Sequence, residues 1–150
     1  MISFDVSSDY GLWGDRVKLG AIYAPLNTDK IYGCSHCFIE LENTSTIDFP
    51  LDGCYLHYYE ERTGGNDILK HLKLSGYIPG GGTYLIRCAK CANSDDPNVF
   101  INVNSYDIEW YENGELLRLN SNASLTTGFA LTYGLPELAA DYSLLKIPTE

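Results

Sequence analysis

Five cysteines stand among the 150 residues, and four of them form two pairs, Cys34-Ser-His-Cys37 and Cys88-Ala-Lys-Cys91. Two thiolates at that local spacing can hold one side of a tetrahedral Zn²⁺. Two such pairs make a closed four-thiolate site with no open coordination position, which is the structural rather than the catalytic form of zinc. The pairs lie too far apart in sequence for a free-standing zinc ribbon, so a site on Cys34, Cys37, Cys88 and Cys91 depends on the fold to bring them together. Because the cysteine count is odd, complete intramolecular pairing is impossible, and reduced or locally oxidised thiols are the alternative to metal ligation. Thioredoxin-type chemistry is disfavoured because such a motif opens a helix, whereas both pairs here flank strand-like sequence. Cys54 alternates with Leu56 and reads as a small buried core residue.

Other chemistry-bearing residues are less well framed. His36 sits inside the first pair and reads either as a substitute ligand or as a solvent-facing knuckle residue. His57 and His71 have no carboxylate or cysteine partner nearby in sequence and read as ordinary strand residues. Asp95 and Asp96 before Pro97, and Asp107 with Glu109, offer oxygens to a hard cation, although acidic pairs in loops are commonly solvated. No nucleophile elbow, H-E-x-x-H or phosphate-loop pattern frames a reaction, and Gly80, Gly81 and Gly82 are not followed by a helix start carrying Lys and Ser or Thr. The expectation is a non-enzyme, with a hydrolase of unrecognised site as the remaining alternative.

Twenty Asp plus Glu against ten Lys plus Arg give a formal charge of −10. That charge repels phosphate backbones and anionic lipid, so neither nucleic acid nor membrane is expected as a partner. The nearest basic cluster, Lys70, His71 and Lys73, reads as a solvated strand face. The opening Met-Ile-Ser-Phe-Asp-Val lacks signal-peptide features, and no apolar run is long enough to span a bilayer. A cytoplasmic or virion location follows as the expectation, rather than a secreted one.

The elements that must position the cysteines read as strands. Tyr and Gly are abundant, and no window shows convincing helical periodicity. Residues 16–24 alternate with Val17, Leu19, Ala21 and Tyr23 on one face. Residues 37–41, 53–60, 70–75, 83–87 and 128–133 give further strands, and 99–103 is a short apolar run. Asn113-Gly114 within 107–119 is suited to the positive φ of a two-residue hairpin turn. Residues 136–142 suit one or two helical turns, and 60–67 an exposed loop. The chain reads as one all-β domain over 1–150, with a core of about 16–134 and an extension over 135–150.

Three pieces resemble the lamin tail domain, an immunoglobulin-like module. Phe38-Ile-Glu-Leu-Glu-Asn43 is similar to the family's FIEL-x-N strand. Leu51-Asp-Gly-Cys-Tyr-Leu56 is similar to its LSGW-x-L strand, with Cys54 where the family usually has Trp. Ile78-Pro-Gly-Gly-Gly-Thr-Tyr-Leu85 is similar to its IPAGGYL turn and strand. Order and spacing agree over about a third of the chain. The Cys54 substitution suggests a core packed differently, with Trp110 or Trp13 compensating. The residues themselves read as fold devices: Asn43 caps a turn through its side chain, and Pro79 supplies fixed φ ahead of permissive glycines.

The resemblance implies an immunoglobulin-like β-sandwich in which the strand after Cys37 pairs antiparallel with the strand before Cys88. Both cysteine pairs would then lie at one end of one sheet. It also implies a non-catalytic scaffold, and the first functional expectation is a module that docks on a protein partner or joins a larger assembly, through a sheet edge or through aromatics such as Tyr58, Tyr59, Trp110 and Tyr111. The acidity and the Tyr and Asn content suit a component of a tailed-bacteriophage virion. A carbohydrate-binding sandwich using the Tyr-rich strand at 53–60 is the alternative.

Overall fold

The structure, a computed structural model, describes residues 16–25, 33–60, 68–91, 101–119 and 128–133. Trp13, the acidic pair at Asp95 and Asp96, the loop over 61–67 and the expected helical turns over 136–142 lie outside the described residues.

Within them the chain is all-β. Its strands are β1 (Val17–Tyr23), β2 (His36–Asn43), β3 (Phe49–Pro50), β4 (Cys54–Glu60), β5 (Ile68–Lys73), β6 (Tyr77–Ile78), β7 (Thr83–Lys90), β8 (Ile108–Glu109), β9 (Tyr111–Glu112), β10 (Glu115–Leu116) and β11 (Gly128–Tyr133). Four of them form a sheet in the order β1-β2-β7-β8, and three form a second in the order β11-β4-β5. β3 with β6, and β9 with β10, make two-residue ladders. One buried cluster takes Leu19, Cys37, Ile39, Leu41, Tyr84, Ile86 and Cys88 from the first sheet and Leu56, Tyr58, Phe129 and Leu131 from the second. Two sheets burying their inner faces on one core is a sandwich-like arrangement.

β2 and β7 form the central antiparallel pair, with Phe38 opposite Arg87 and Glu42 opposite Thr83. β2 alternates without interruption, burying Cys37, Ile39, Leu41 and Asn43 and half-exposing the residues between. This is the pattern of a strand with one core face. The hairpin expected at Asn113-Gly114 is present: φ is 54° and 82° at the two positions, and Glu115 pairs with Glu112.

β1 departs from the expected alternation. A bulge between Leu19 and Ala21 shifts its register against β2. Val17 and Leu19 enter the core as expected, but beyond the bulge Ile22 and Ala24 pack against it instead of Ala21 and Tyr23. One extra residue exchanges the two faces of a strand. Tyr23 thereby turns outward, stacks on Phe38 at 5.7 Å between ring centroids, and accepts hydrogen bonds from the Gly33 and Cys34 N–H groups.

The aromatic docking residues also need correction. Tyr58 and Trp110 are fully buried, with rings edge to face at 6.2 Å. Tyr58 shares the inward parity of Cys54 and Leu56 on β4, so strand alternation sends it into the core. Tyr111 is exposed as expected. Ile47, 68% exposed, and Tyr77, 56% exposed, are large apolar side chains on the surface flanking the β3–β6 ladder.

Candidate functional site

The antiparallel register of β2 on β7 decides where the cysteines lie. Cys37 is at the start of β2 and Cys88 near the end of β7, at the end of the pair where His36 stands opposite Lys90. Cys91 follows β7 directly, and its N–H donates to the Ser35 carbonyl at 2.8 Å. Cys34 bridges to Ile101 in parallel, with the Ser35 N–H donating to the Ile101 carbonyl and the Ile101 N–H to the Gly33 carbonyl. Both knuckles therefore close the same end of one sheet. Ser35 knits them: its hydroxyl oxygen accepts from the Val103 N–H at 2.8 Å and meets His36 Nδ1 at 2.8 Å.

The four thiols are consecutive neighbours. Cys37 and Cys91 are hydrogen-bond partners, and an ionised Cys37 would raise Cys88 as an ionised Cys34 would raise Cys91. The Cys91 thiol also donates to the Cys34 carbonyl at 3.5 Å. No disulfide joins any of the five cysteines. Among the described residues no group of three or more His, Cys, Asp or Glu side chains is gathered as a metal-holding set, so the thiols share one neighbourhood without forming a closed chelate.

Burial raises the pKa of all four. It pushes Cys91 up to about 12, with the neighbouring Cys37 adding to the effect, and it pushes Cys88 higher still. Burial also raises Cys34 and Cys37, although Arg118 beside Cys37 opposes the shift there. Thiols held protonated are poor nucleophiles, which is the opposite of a reactive redox pair. His36 has its ring nitrogen on Ser35, and burial together with the charges of Arg87 and Lys90 pulls its proton affinity down. Cys54 lies on β4 in the other sheet, buried, with Sγ 3.8 Å from the Pro50 carbonyl.

The acidic groups weighed as a cation site are engaged elsewhere. Asp107 accepts from the Leu85 N–H at 2.7 Å. Glu109 receives two hydrogen bonds from the Arg87 guanidinium, at 2.9 and 2.6 Å. Burial works against the Glu109 charge, but the bonds from Arg87 and Tyr111 hold its carboxyl below the usual carboxylate range. Arg87 also lies over the Tyr106 ring, 3.9 Å from its centroid.

A polar cluster that sequence spacing did not reveal lies on the outer face of the second sheet. His57 and His71 are directly opposite each other in the β4–β5 register, and their Nδ1 atoms approach to 2.8 Å. His57 is fully buried, and its Nε2 meets Thr132 Oγ1 on β11 at 2.8 Å. His71 is exposed, as expected of its strand face, but it is not unpartnered. Only the register makes these two residues neighbours, and no local pattern encodes it.

Burial, reinforced by the charge of His71, pushes His57 down to about 4 from the usual 6.5. A histidine whose folded value is depressed resists the proton that the unfolded chain accepts. Stability is therefore fully present above about pH 6.5 and is lost as pH falls towards 4, by on the order of 3 kcal/mol from this group. Urea denaturation of chelator-treated protein at pH 7 and pH 4.5 should show that loss, and His57→Gln should flatten it. An equal pH slope in the two proteins would refute the assignment to His57.

No protein-family model matches the chain, and no curated protein matches it.

Proposed function

We propose that this chain is a non-catalytic immunoglobulin-like module of the lamin-tail type, which takes a protein partner or a place in a larger assembly such as a tailed-phage virion. In this reading a structural zinc on Cys34, Cys37, Cys88 and Cys91 fastens one end of the sandwich. The observation that carries it is the antiparallel β2–β7 register, which brings two sequence-distant cysteine pairs to one sheet end. Four sulfur ligands suit Zn²⁺, and a set of four thiolates leaves no position for a substrate. Closing the set asks the thiols to reorient from protonated neighbours into a tetrahedron, with the ion displacing their protons.

The family part of the reading is supported by the way the three motif pieces meet. Asn43, which ends the FIELEN strand, donates from Nδ2 to the Ile78 carbonyl at 2.9 Å, and its N–H donates to the Gly82 carbonyl at 2.9 Å. The Leu51 N–H donates to the Gly76 carbonyl, and Gly53 turns into β4 at φ 86°. Gly80 has no room for a side chain, because a Cβ there would stand 2.4 Å from the Thr46 carbonyl oxygen. Ile47 and Tyr77 beside this junction offer an exposed apolar surface for a partner. The carbohydrate alternative is weakened by the burial of Tyr58, which takes a ring from the platform it required.

Sedimentation and metal content test the two parts. In its native lysate the chain should sediment with a larger particle, and chain purified without chelator should carry one zinc. Cys88→Ser should lose the metal and melt at lower temperature, while Cys54→Ser should keep it. Equal zinc content in the two variants removes the ligand set, and sedimentation only as a free monomer removes the assembly.

A further inference from the structure

We propose that His57 and His71 form a two-imidazole site for a divalent transition-metal ion, separate from the cysteines, that pins the edge strand β5 to β4. The two residues face each other across the ladder, and the rings stand edge to face at 81° with centroids 5.0 Å apart. Their Nδ1 atoms point at each other across 2.8 Å. Two nitrogens that close must share a proton, because neither two lone pairs nor two N–H groups can face each other there. A metal ion is the other species that can occupy the position of that proton.

The second nitrogen of His57 is already secured as a metal ligand requires. Its Nε2 meets Thr132 Oγ1 at 2.8 Å. An N–H donated from Nε2 to that hydroxyl leaves the Nδ1 lone pair aimed at His71, which is the outer-shell arrangement that fixes tautomer and ring orientation in imidazole sites. Burial keeps His57 neutral far below neutral pH, so its lone pair is not lost to a proton. Thr132 is buried too, so this half of the site is rigid.

The other half can adjust. His71 is exposed on the edge strand β5. Two nitrogens sharing a tetrahedral ion at about 2.0–2.1 Å each lie about 3.3 Å apart, so the pair must open by roughly 0.5 Å. Moving the His71 ring supplies that, and its proton passes from Nδ1 to Nε2 as the ion enters. Water completes the coordination sphere. Imidazole pairs favour Cu²⁺, Ni²⁺ and Zn²⁺ over hard cations. Lys73, the next outward residue on β5, opposes a cation locally, while the net charge of −10 draws one to the molecule.

Ni²⁺ titrated into the full chain carrying one equivalent of zinc on its thiols tests this by calorimetry, with the histidine ring signals followed by NMR. One ion per chain should bind, broadening the His57 and His71 rings and sparing His36. His71→Ala, at an exposed position, should weaken binding at least about tenfold, and Thr132→Val should weaken it by about tenfold through loss of the ring-orienting hydroxyl. Cys34→Ser should leave the His57 and His71 broadening unchanged. Equal Ni²⁺ affinity in the wild type and His71→Ala overturns the proposal, as does broadening that spares His57 and His71 or vanishes in Cys34→Ser.

Discussion

Asn43→Ala is expected to remove on the order of 4 kcal/mol of folding stability, a large part of what a single domain has. The side chain is fully buried, yet every polar atom it carries is used. Nδ2 donates to the Ile47 carbonyl at 2.8 Å and the Ile78 carbonyl at 2.9 Å, while Oδ1 accepts from the Ser45 N–H at 3.0 Å and its hydroxyl at 2.8 Å. Alanine leaves the Ile78 carbonyl without its buried donor and strips the half-buried turn of its bonds to Ser45, while the Ile47 carbonyl keeps Arg16 and the Ser45 hydroxyl; an unpaired buried group costs more than a made bond gains. The loss also leaves the end of β2 tied to the turn that starts β7 only through the backbone bonds from the Asn43 N–H to the Gly82 carbonyl and from the Gly81 N–H to the Ser45 carbonyl, so it loosens the end of the β2–β7 pair. Ser45→Ala, which removes only one of the four bonds, should cost about 1 kcal/mol. Urea denaturation distinguishes them: comparable midpoints for Asn43→Ala and Ser45→Ala would mean that the clamp carries no special weight.

That clamp was legible from sequence as a turn cap, but its reach across to Ile78 was not, because nothing local states that residues 43 and 78 meet. The same division runs through the molecule. Strands β2 and β7 follow from period-two burial, β4 and β11 from strand-forming residues bounded by turns, and the Asn113-Gly114 hairpin from turn chemistry, all of which are local. The two-residue strands β3, β6 and β8 are too short to carry a period, and they arise from contacts the chain makes elsewhere. Gly20 marks the bulge in β1, and its effect on the inward face of Ile22 and Ala24 depends on how β2 is paired. The cysteine pairs could be picked out by spacing, and their shared sheet end followed once β2 and β7 were matched through the family resemblance. The His57–His71 pair had no comparable clue, since each histidine alone fits an ordinary strand.

The aromatic content of the core makes the second large prediction. Trp110 follows β8 and is fully buried, its N–H donating to the Arg87 carbonyl at 3.1 Å and its carbonyl accepting from the Leu117 N–H at 2.8 Å. Its ring packs edge to face on Tyr58, which in turn stacks on Phe129 at 5.1 Å, so one aromatic series joins the β8–β9 connection to both β4 and β11. Trp110→Ala should cost about 3–5 kcal/mol, since the cavity it leaves lies between the two sheets, where neither can close on the other without losing its own strand pairing. Trp110→Phe should cost far less, about 1–2 kcal/mol. The reason is specific: among the described residues the Trp110 Nε1–H is buried without a hydrogen-bond partner, so phenylalanine gives up volume but no bond. Thermal melts of the two variants decide it. If Trp110→Phe falls as far as Trp110→Ala, the indole N–H is bonded in solution and the ring is held by more than packing.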